Sequence, residues 1–353
     1  MEKTMKAVVT YAPGDNRYED FPFPELEDGE VLLKVKACGI CAGDLKAFHG
    51  GIRVWGTSEA DRYMEPPCIP GHEFYGEVVD IKGEVPGIAI GDDVCAEQVV
   101  PCGHCHFCRT GKYWMCQRSA VFGFKKYANG GFAEYVKLPK TSLKHVLPKS
   151  FTKEQSVLVE PIACGMHALE QANIRHDDVV VIAGLGAIGT SMCNIANLKM
   201  PKLVIGLEVR EERARRAREY GADIVLNPVE CNVVEEIMKL TGGLGCDVYV
   251  EASGSPKSAA QGLNCLRNHG RYVQMGVLSD LVTADWNTIG DGKELTIAQL
   301  GPYKIDADRE TRKAAYCAEG AFIRENGAKL DEIFDKLVQV RTKIAEALGE
   351  KSF

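Results

Sequence analysis

The stretch Asp177–Gly189, DDVVVIAGLGAIG, constrains this chain more than any other. Val179–Ala183 is a short apolar run rich in β-branched residues, the pattern of a strand buried on both faces. It runs directly into Gly184-Leu185-Gly186-Ala187-Ile188-Gly189, the spacing G-x-G-x-x-G. In a strand–turn–helix setting the three glycines have separate tasks. The first makes the tight turn, the second lets backbone approach a pyrophosphate, and the third lets the helix pack close on the strand. Amide groups at the helix start, Ala187 and Ile188 among them, then face the phosphates. A plain glycine-rich turn has the same spacing, so the flanking sequence decides.

Beyond the glycines, helices and strands alternate. Ala187–Lys199 reads as a helix, Leu203–Leu207 as a strand, Arg210–Tyr220 as a charged helix closed by Gly221, and Ala222–Leu226 as a strand. Val233–Leu240 reads as a helix, Cys246–Val250 as a strand, Pro256–Leu266 as a helix and Gly270–Gln274 as a strand. Strict β-α alternation implies a parallel, doubly wound sheet of the Rossmann type. Glu208 ends the second strand, 19 residues after Gly189. An acid there binds the adenosine ribose 2′-hydroxyl of NAD and repels the 2′-phosphate of NADP. Arg210 and Arg213 stand nearby and keep NADP open as the lesser reading.

The first half is different. MKAVVTY, the Phe21-Pro22-Phe23-Pro24 stretch and EVLLKVKA, with Gly and Pro recurring through Gly91, fit an irregular, mostly β domain. Within it lie Cys38-Gly39-Ile40-Cys41-Ala42-Gly43-Asp44 and Cys68-Ile69-Pro70-Gly71-His72-Glu73. Thiolate, imidazole and carboxylate are ligand types of a tetrahedral zinc site, and on spacing alone Cys38 and Cys68 rival one another as ligands. The bland alternative makes the cysteines small buried hydrophobes and His72-Glu73 the start of a strand. Further along, Cys102, Cys105, Cys108 and Cys116 form C-x2-C-x2-C-x7-C, four thiols close enough to close the shell of one ion. Such a site has no open position and is structural; an iron–sulfur cluster uses related spacing, and His104 and His106 stand by as competitors. Position alone reads Glu160 as a surface acid at the start of the helix that Pro161 begins.

Composition excludes other classes. The chain has 353 residues, enough for two or three domains. A net charge of −7 does not suit a nucleic-acid or anionic-membrane partner. No apolar run approaches the ~20 residues of a membrane span. The opening MEKTMKAVVTYAPG has no long apolar run, so no secretory signal is expected. With fourteen cysteines and no such signal, metal ligation by reduced thiols in the cytoplasm is expected over disulfides.

In this order, the Cys41/His72-Glu73 pair, the four-cysteine loop and the Rossmann unit resemble the zinc-containing medium-chain dehydrogenases/reductases. The resemblance covers about residues 5–303. It implies a GroES-like catalytic domain over 1–156 with a structural zinc lobe. It also implies an NAD-binding Rossmann domain over 157–299, a carboxy-terminal return over 300–353, and an active site in the cleft between the domains. Position by position, it implies Cys41, His72 and Glu160 as catalytic zinc ligands, with Glu73 ligating in some conformations. Cys102, Cys105, Cys108 and Cys116 match the structural zinc. Glu160-Pro161 resembles the polyol branch. GICAGDLKAFHGG, PGHEFYGEVV, EQVVPCGHCHFC and DGKELTIAQLGPY are similar to its erythritol/threitol dehydrogenases. Family members form homodimers or homotetramers.

The implied activity is oxidation of a secondary alcohol of a short polyol to a ketose by hydride transfer to NAD. L-Threonine 3-dehydrogenase and L-iditol/sorbitol 2-dehydrogenase are the near alternatives. From another class comes a zinc-stabilised nucleotide-binding protein without turnover. Trp55 and Phe122 are substrate-pocket candidates.

Two departures stand out. The family usually carries Ser or Thr where this chain has Gly43, so the alcohol proton must leave through zinc-bound water, Glu73 or Lys46. Residues 306–353 read as almost wholly helical, and LDEIFDKLVQVRTKIAEALG resembles a helical stretch of oligoendopeptidases. No H-E-x-x-H is present, so no peptidase activity is expected. A divergent dehydrogenase tail is the other reading.

Overall fold

The structure, a computed structural model, describes residues 3–278, 280–285, 288 and 294–296. The expectations for 300–353, including the helical tail, lie outside the described residues.

The amino-terminal half is β-rich and antiparallel. Thr4–Ala12 and Asp15–Pro22 form a hairpin. A five-stranded sheet runs in the order Tyr135–Leu138, Glu30–Gly39, Glu73–Lys82, Asp93–Ala96, Lys144–Val146. Val31, Leu33, Phe74, Val78, Val94 and Phe122 form its core. Register matters most at one end: Cys38 pairs with Phe74 and Gly39 with Glu73. That pairing delivers the chain leading into Cys41 beside His72 and Glu73, although 31 residues separate Cys41 from His72.

The helix Val159–Ala172 leads into the second half and ends at Asn173, whose φ of 47° is the left-handed cap geometry. Its first turn is buried. Glu160 is only 8% exposed, so the reading of a surface acid is corrected: the helix starts at Val159, and Glu160 turns inward.

The second half is a parallel sheet in the order Ile224–Leu226, Leu203–Leu207, Val179–Ala183, Cys246–Glu251, Leu266–Gln274, Glu294–Thr296. Every residue of Val179–Ala183 is buried, because helices cover both faces. Val180 and Ile182 pack with Leu169 and Met192 on one face; Val181 and Ala183 pack with Ile237 and Leu263 on the other. The strand order turns at Val179–Ala183, which pairs with Leu203–Leu207 on one side and Cys246–Glu251 on the other. Ligands bind such α/β sheets in the crevice at this switch point.

The fold is therefore the expected GroES-like β unit joined to a Rossmann sheet. Two differences concern its last strands. Leu266–Gln274 begins four residues before the expected Gly270, continuing through His269 with its φ of 59°. Glu294–Thr296 is three residues long, too short for periodicity to reveal. Among the described residues no helix is long and apolar enough to cross a membrane.

Candidate active site and metal centres

The four crowded cysteines converge. Sγ separations are 3.5 Å for Cys105–Cys108, 3.8 Å for Cys105–Cys116 and 3.9 Å for Cys102–Cys108. A tetrahedron of sulfurs bonded at ~2.3 Å to one ion has edges of about 3.8 Å, so the spacing fits a single zinc. It is far beyond a disulfide bond of ~2.05 Å, and too compact for thiolates spread around an iron–sulfur cluster. Backbone amides support the thiolates: Cys102 N donates to Cys116 Sγ at 3.4 Å, and the Cys108 amide helps pull the Cys105 thiol down to about 6. His104 turns away to the Cys102 carbonyl at 2.7 Å, and His106 opens the short helix His106–Arg109.

A second set forms at the end of the β sheet. Cys41, His72 and Glu73 bring one ligand atom each to within 4.8 Å of one another. Cys41 caps the helix Ala42–Phe48, and Asp44 Oδ2 accepts its amide hydrogen at 2.9 Å. The other Asp44 oxygen faces His72 Nδ1 at 3.7 Å, and both of these buried atoms are without a hydrogen-bond partner. Burial pushes the Cys41 thiol up to about 12, raises Glu73 and pulls His72 down. A divalent cation relieves that strain, since it favours thiolate, carboxylate and neutral imidazole together. The donor chemistry fits zinc. Sequence reasoning passed over Asp44, though it stands three residues after Cys41 in the capping-box position.

Glu160 does not join that trio in the structure. Its Oε1 accepts from Gln98 Nε2 at 2.6 Å and from the Cys164 thiol at 3.4 Å. Burial, reinforced by the charge of Glu73, pushes the Glu160 carboxyl up to about 8. The rival cysteines stay outside: Cys38 Sγ lies against the Gly39 carbonyl at 3.5 Å, and Cys68 is fully buried in an apolar cluster.

A cleft of about 730 Å³ joins the two halves. One wall carries Ile40, Cys41, Leu45 and Glu73; the other carries Gly184, Gly186–Gly189, Glu208 and Arg213. The glycines behave as their spacing predicts. Gly184 has φ +91°, and a Cβ there meets the Ser253 backbone at 2.6 Å. A Cβ on Gly186 points into open space, a cradle one side chain would begin to fill. A Cβ on Gly189 meets the Gly184 carbonyl oxygen at 1.9 Å, so helix and turn touch. Glu208, 7% exposed, accepts from Leu185 N at 3.1 Å, Val209 N at 2.9 Å and Arg210 N at 3.0 Å. Arg213 lies 3.9 Å from it. The cradle, the amides at the helix start and the acid beneath fit a dinucleotide. Ser253, Ser255 and Lys257 also line the cleft; they carried no sequence signal.

Three candidates fall elsewhere. Lys46 Nζ donates to the Val277 carbonyl at 2.8 Å, spanning the two halves, and is not placed as a free base. Trp55 Nε1 donates to the Ala47 carbonyl at 2.6 Å, and Phe122 is core, edge-on to Phe74. Neither lines the cleft. A Cβ on Gly43 lies 3.6 Å from Cys41 Sγ and 3.8 Å from His72 Cε1. A hydroxyl at that position would face the ligands, and this chain has none.

Comparison with known proteins agrees. The alcohol dehydrogenase GroES-like domain profile matches residues 27–149, and the zinc-binding dehydrogenase profile matches 184–314. An erythritol/L-threitol dehydrogenase of Mycolicibacterium smegmatis is 43% identical over 85% of this chain and 84% of its own length. The chain belongs to the zinc-binding medium-chain dehydrogenase/reductase family. An L-threonine 3-dehydrogenase of Pyrococcus horikoshii is 36% identical over 84% of this chain and 83% of its own. Among solved structures, a Sinorhizobium meliloti protein described as a zinc-binding dehydrogenase bound to NADP superposes with a TM-score of 0.78. It is 28% identical and covers 86% of each chain. In this zinc-binding dehydrogenase the GroES-like match takes in both metal-ligand sets, and the second match opens on Gly184.

Proposed function

We propose that this dehydrogenase oxidises a secondary alcohol of a short, erythritol- or threitol-like polyol to the ketose, with NAD as hydride acceptor. One observation carries the reading: a single cleft is lined by Cys41 and Glu73 on one wall and by Gly184–Gly189 and Glu208 on the other. The similarity to an erythritol/L-threitol dehydrogenase supports the substrate class. Residues 1–156 serve as the catalytic unit, 157–299 as the nucleotide unit and 300–353 as the return.

Cys41 and His72, with Glu160 and Glu73 as alternative carboxylates, hold the catalytic zinc; Cys102, Cys105, Cys108 and Cys116 hold the structural one. When bound, zinc would supply Lewis-acid polarisation of the alcohol oxygen, and the nicotinamide would be the hydride acceptor. Asp44 sets its carboxylate charge beside the His72 ring. Ile40 and Leu45 supply apolar wall to the cleft. With Gly43 bare and Lys46 engaged on Val277, the routes left for the alcohol proton are zinc-bound water and Glu73, which lines the cleft. Burial raises its proton affinity, which suits a base. The helix-start amides hold the pyrophosphate, and Glu208 accepts from the adenosine ribose, favouring NAD. Metal ligation by the reduced thiols of Cys41, Cys102, Cys105, Cys108 and Cys116 suits a cytoplasmic setting. Among the described residues Glu294–Thr296 is the outermost strand of the parallel sheet; a homodimer or homotetramer is the assembly we propose.

The test is a panel of erythritol, both threitols, L-threonine, sorbitol and L-iditol, with NAD and NADP side by side. Fastest NADH formation on a tetritol is expected. No turnover on any alcohol, by protein that retains two zinc ions and binds dinucleotide, overturns the enzyme reading in favour of a nucleotide-binding protein. Preference for threonine or a hexitol moves the substrate within the family.

A further inference from the structure

The cysteine lobe and the Cys41 site are joined by a short chain of contacts. Glu97 and Gln98 are neighbours whose side chains point apart. Glu97 is buried, and its Oε1 accepts the Tyr113 hydroxyl hydrogen at 2.8 Å, with His145 Nε2 3.3 Å away. Tyr113 begins the 3-10 turn Tyr113–Met115, immediately before the lobe ligand Cys116. Gln98 reaches the other way and donates to Glu160 Oε1 at 2.6 Å. Its backbone is pinned as well, since Phe122 N donates to the Gln98 carbonyl at 2.9 Å. A second contact runs in parallel: Trp114 stands edge-on to His167, ring centroids 5.9 Å apart, and His167 lies on the helix that carries Glu160.

The geometry points to Gln98 as a positioning residue for Glu160, held in place from the cysteine lobe through Tyr113 and Glu97, so that the lobe helps the Cys41 site keep its metal. This rests on the reading of Glu160 as a ligand of that site. Groups that hydrogen-bond a metal ligand hold it in its binding geometry, and their loss typically weakens metal binding ~10–100-fold. Gln98 is such a group for Glu160. Tyr113 acts one step further away, through the Glu97–Gln98 peptide, and its effect is correspondingly smaller.

The test monitors zinc release from the full-length, zinc-loaded protein into a chromophoric chelator. Two release phases are expected, and Cys41→Ser identifies the catalytic one by abolishing it. Gln98→Leu should speed that phase by ~10–100-fold. Tyr113→Phe removes one hydroxyl and should speed the same phase about threefold to tenfold, the worth of one hydrogen bond. The lobe phase should stay at its wild-type rate in both, whereas a general loss of structure would speed both phases. If Gln98→Leu does not fold, Gln98→Asn, whose shorter amide cannot reach Glu160, carries the same expectation.

An unchanged catalytic phase in the Gln98 variant overturns the inference. Acceleration by Gln98→Leu with none by Tyr113→Phe overturns the link to the lobe. Wild-type protein that binds one zinc per chain overturns the two-metal reading itself, and does so before any variant is made.

Discussion

Asp44 touches both residues of the Cys41–His72 pair: Oδ2 accepts the Cys41 amide at 2.9 Å, and Oδ1 stands 3.7 Å from His72 Nδ1. One carboxylate thus fixes the helix start that presents the thiol and sets a negative charge beside the imidazole. Asp44→Asn keeps an oxygen for the Cys41 amide but removes the charge facing His72. Zinc affinity at the Cys41 site should fall ~10–100-fold, with lobe zinc unchanged. Zinc content per chain after graded chelation checks this. Full retention of both ions would show that Asp44 does no more than cap its helix.

Gly186 and Gly189 belong to one motif but should fail differently. A Cβ on Gly186 enters open space in the cleft, so Gly186→Ala should fold normally and raise KM for the dinucleotide. A Cβ on Gly189 would sit 1.9 Å from the Gly184 carbonyl oxygen, so Gly189→Ala must push helix from turn. Its expected signature is a melting temperature lowered by several degrees, from a stability loss of about 1–3 kcal/mol. Equal melting temperatures in the two variants would contradict the assigned roles.

These contrasts show which parts of the site a sequence exposes. The glycine loop and the cysteine lobe are local: their ligating atoms lie within a few turns of chain, so spacing alone reports geometry. The strand Leu203–Leu207, which leads into Glu208, is legible because burial on both faces leaves a continuous apolar run. Glu160 is not legible from position, because what satisfies it is Gln98, 62 residues earlier, brought close where the helix Val159–Ala172 packs on the β-rich half. Lys46 misleads for the same reason. Its place five residues after Cys41 suggests a relay, yet its partner is Val277, 231 residues away. Asp44 hid inside a motif quoted for its cysteines, since a capping acid is common and its second contact is tertiary.

Glu208 is enclosed by three backbone amides and lies 3.9 Å from Arg213. Those donors hold the carboxylate at the cleft wall, where under the proposed function it would accept from a ribose hydroxyl and repel a phosphate. Glu208→Ala should lower kcat/KM for NAD about tenfold, the value of one charged hydrogen bond, and raise that for NADP as Arg213 is released. Kinetics with both dinucleotides check this. Undiminished NAD preference in the variant would remove Glu208 from the ribose site.

Metal uptake at the Cys41 site should release protons. In protein stripped of that ion, burial holds the Cys41 thiol near 12 and the Glu160 carboxyl near 8, so both are protonated at pH 7; His72, pulled down by burial, is neutral. If zinc takes the Cys41 thiolate and the Glu160 carboxylate, as proposed, about two protons should leave per ion at pH 7. Affinity therefore climbs with pH, with the Glu160 contribution ending above pH about 8. Stability of the stripped protein runs the other way. Glu160 has a folded value above its ordinary 4.5, so its contribution is full below that pH and is lost as pH rises through about 8. Calorimetric titration of zinc into protein still holding its lobe ion, in two buffers of different ionisation enthalpy, counts the protons. Melting of the stripped protein from pH 5 to 9 checks the second trend. Zinc uptake with no proton release would mean that Cys41 and Glu160 are already ionised, and that the site is less shielded from water than its burial implies.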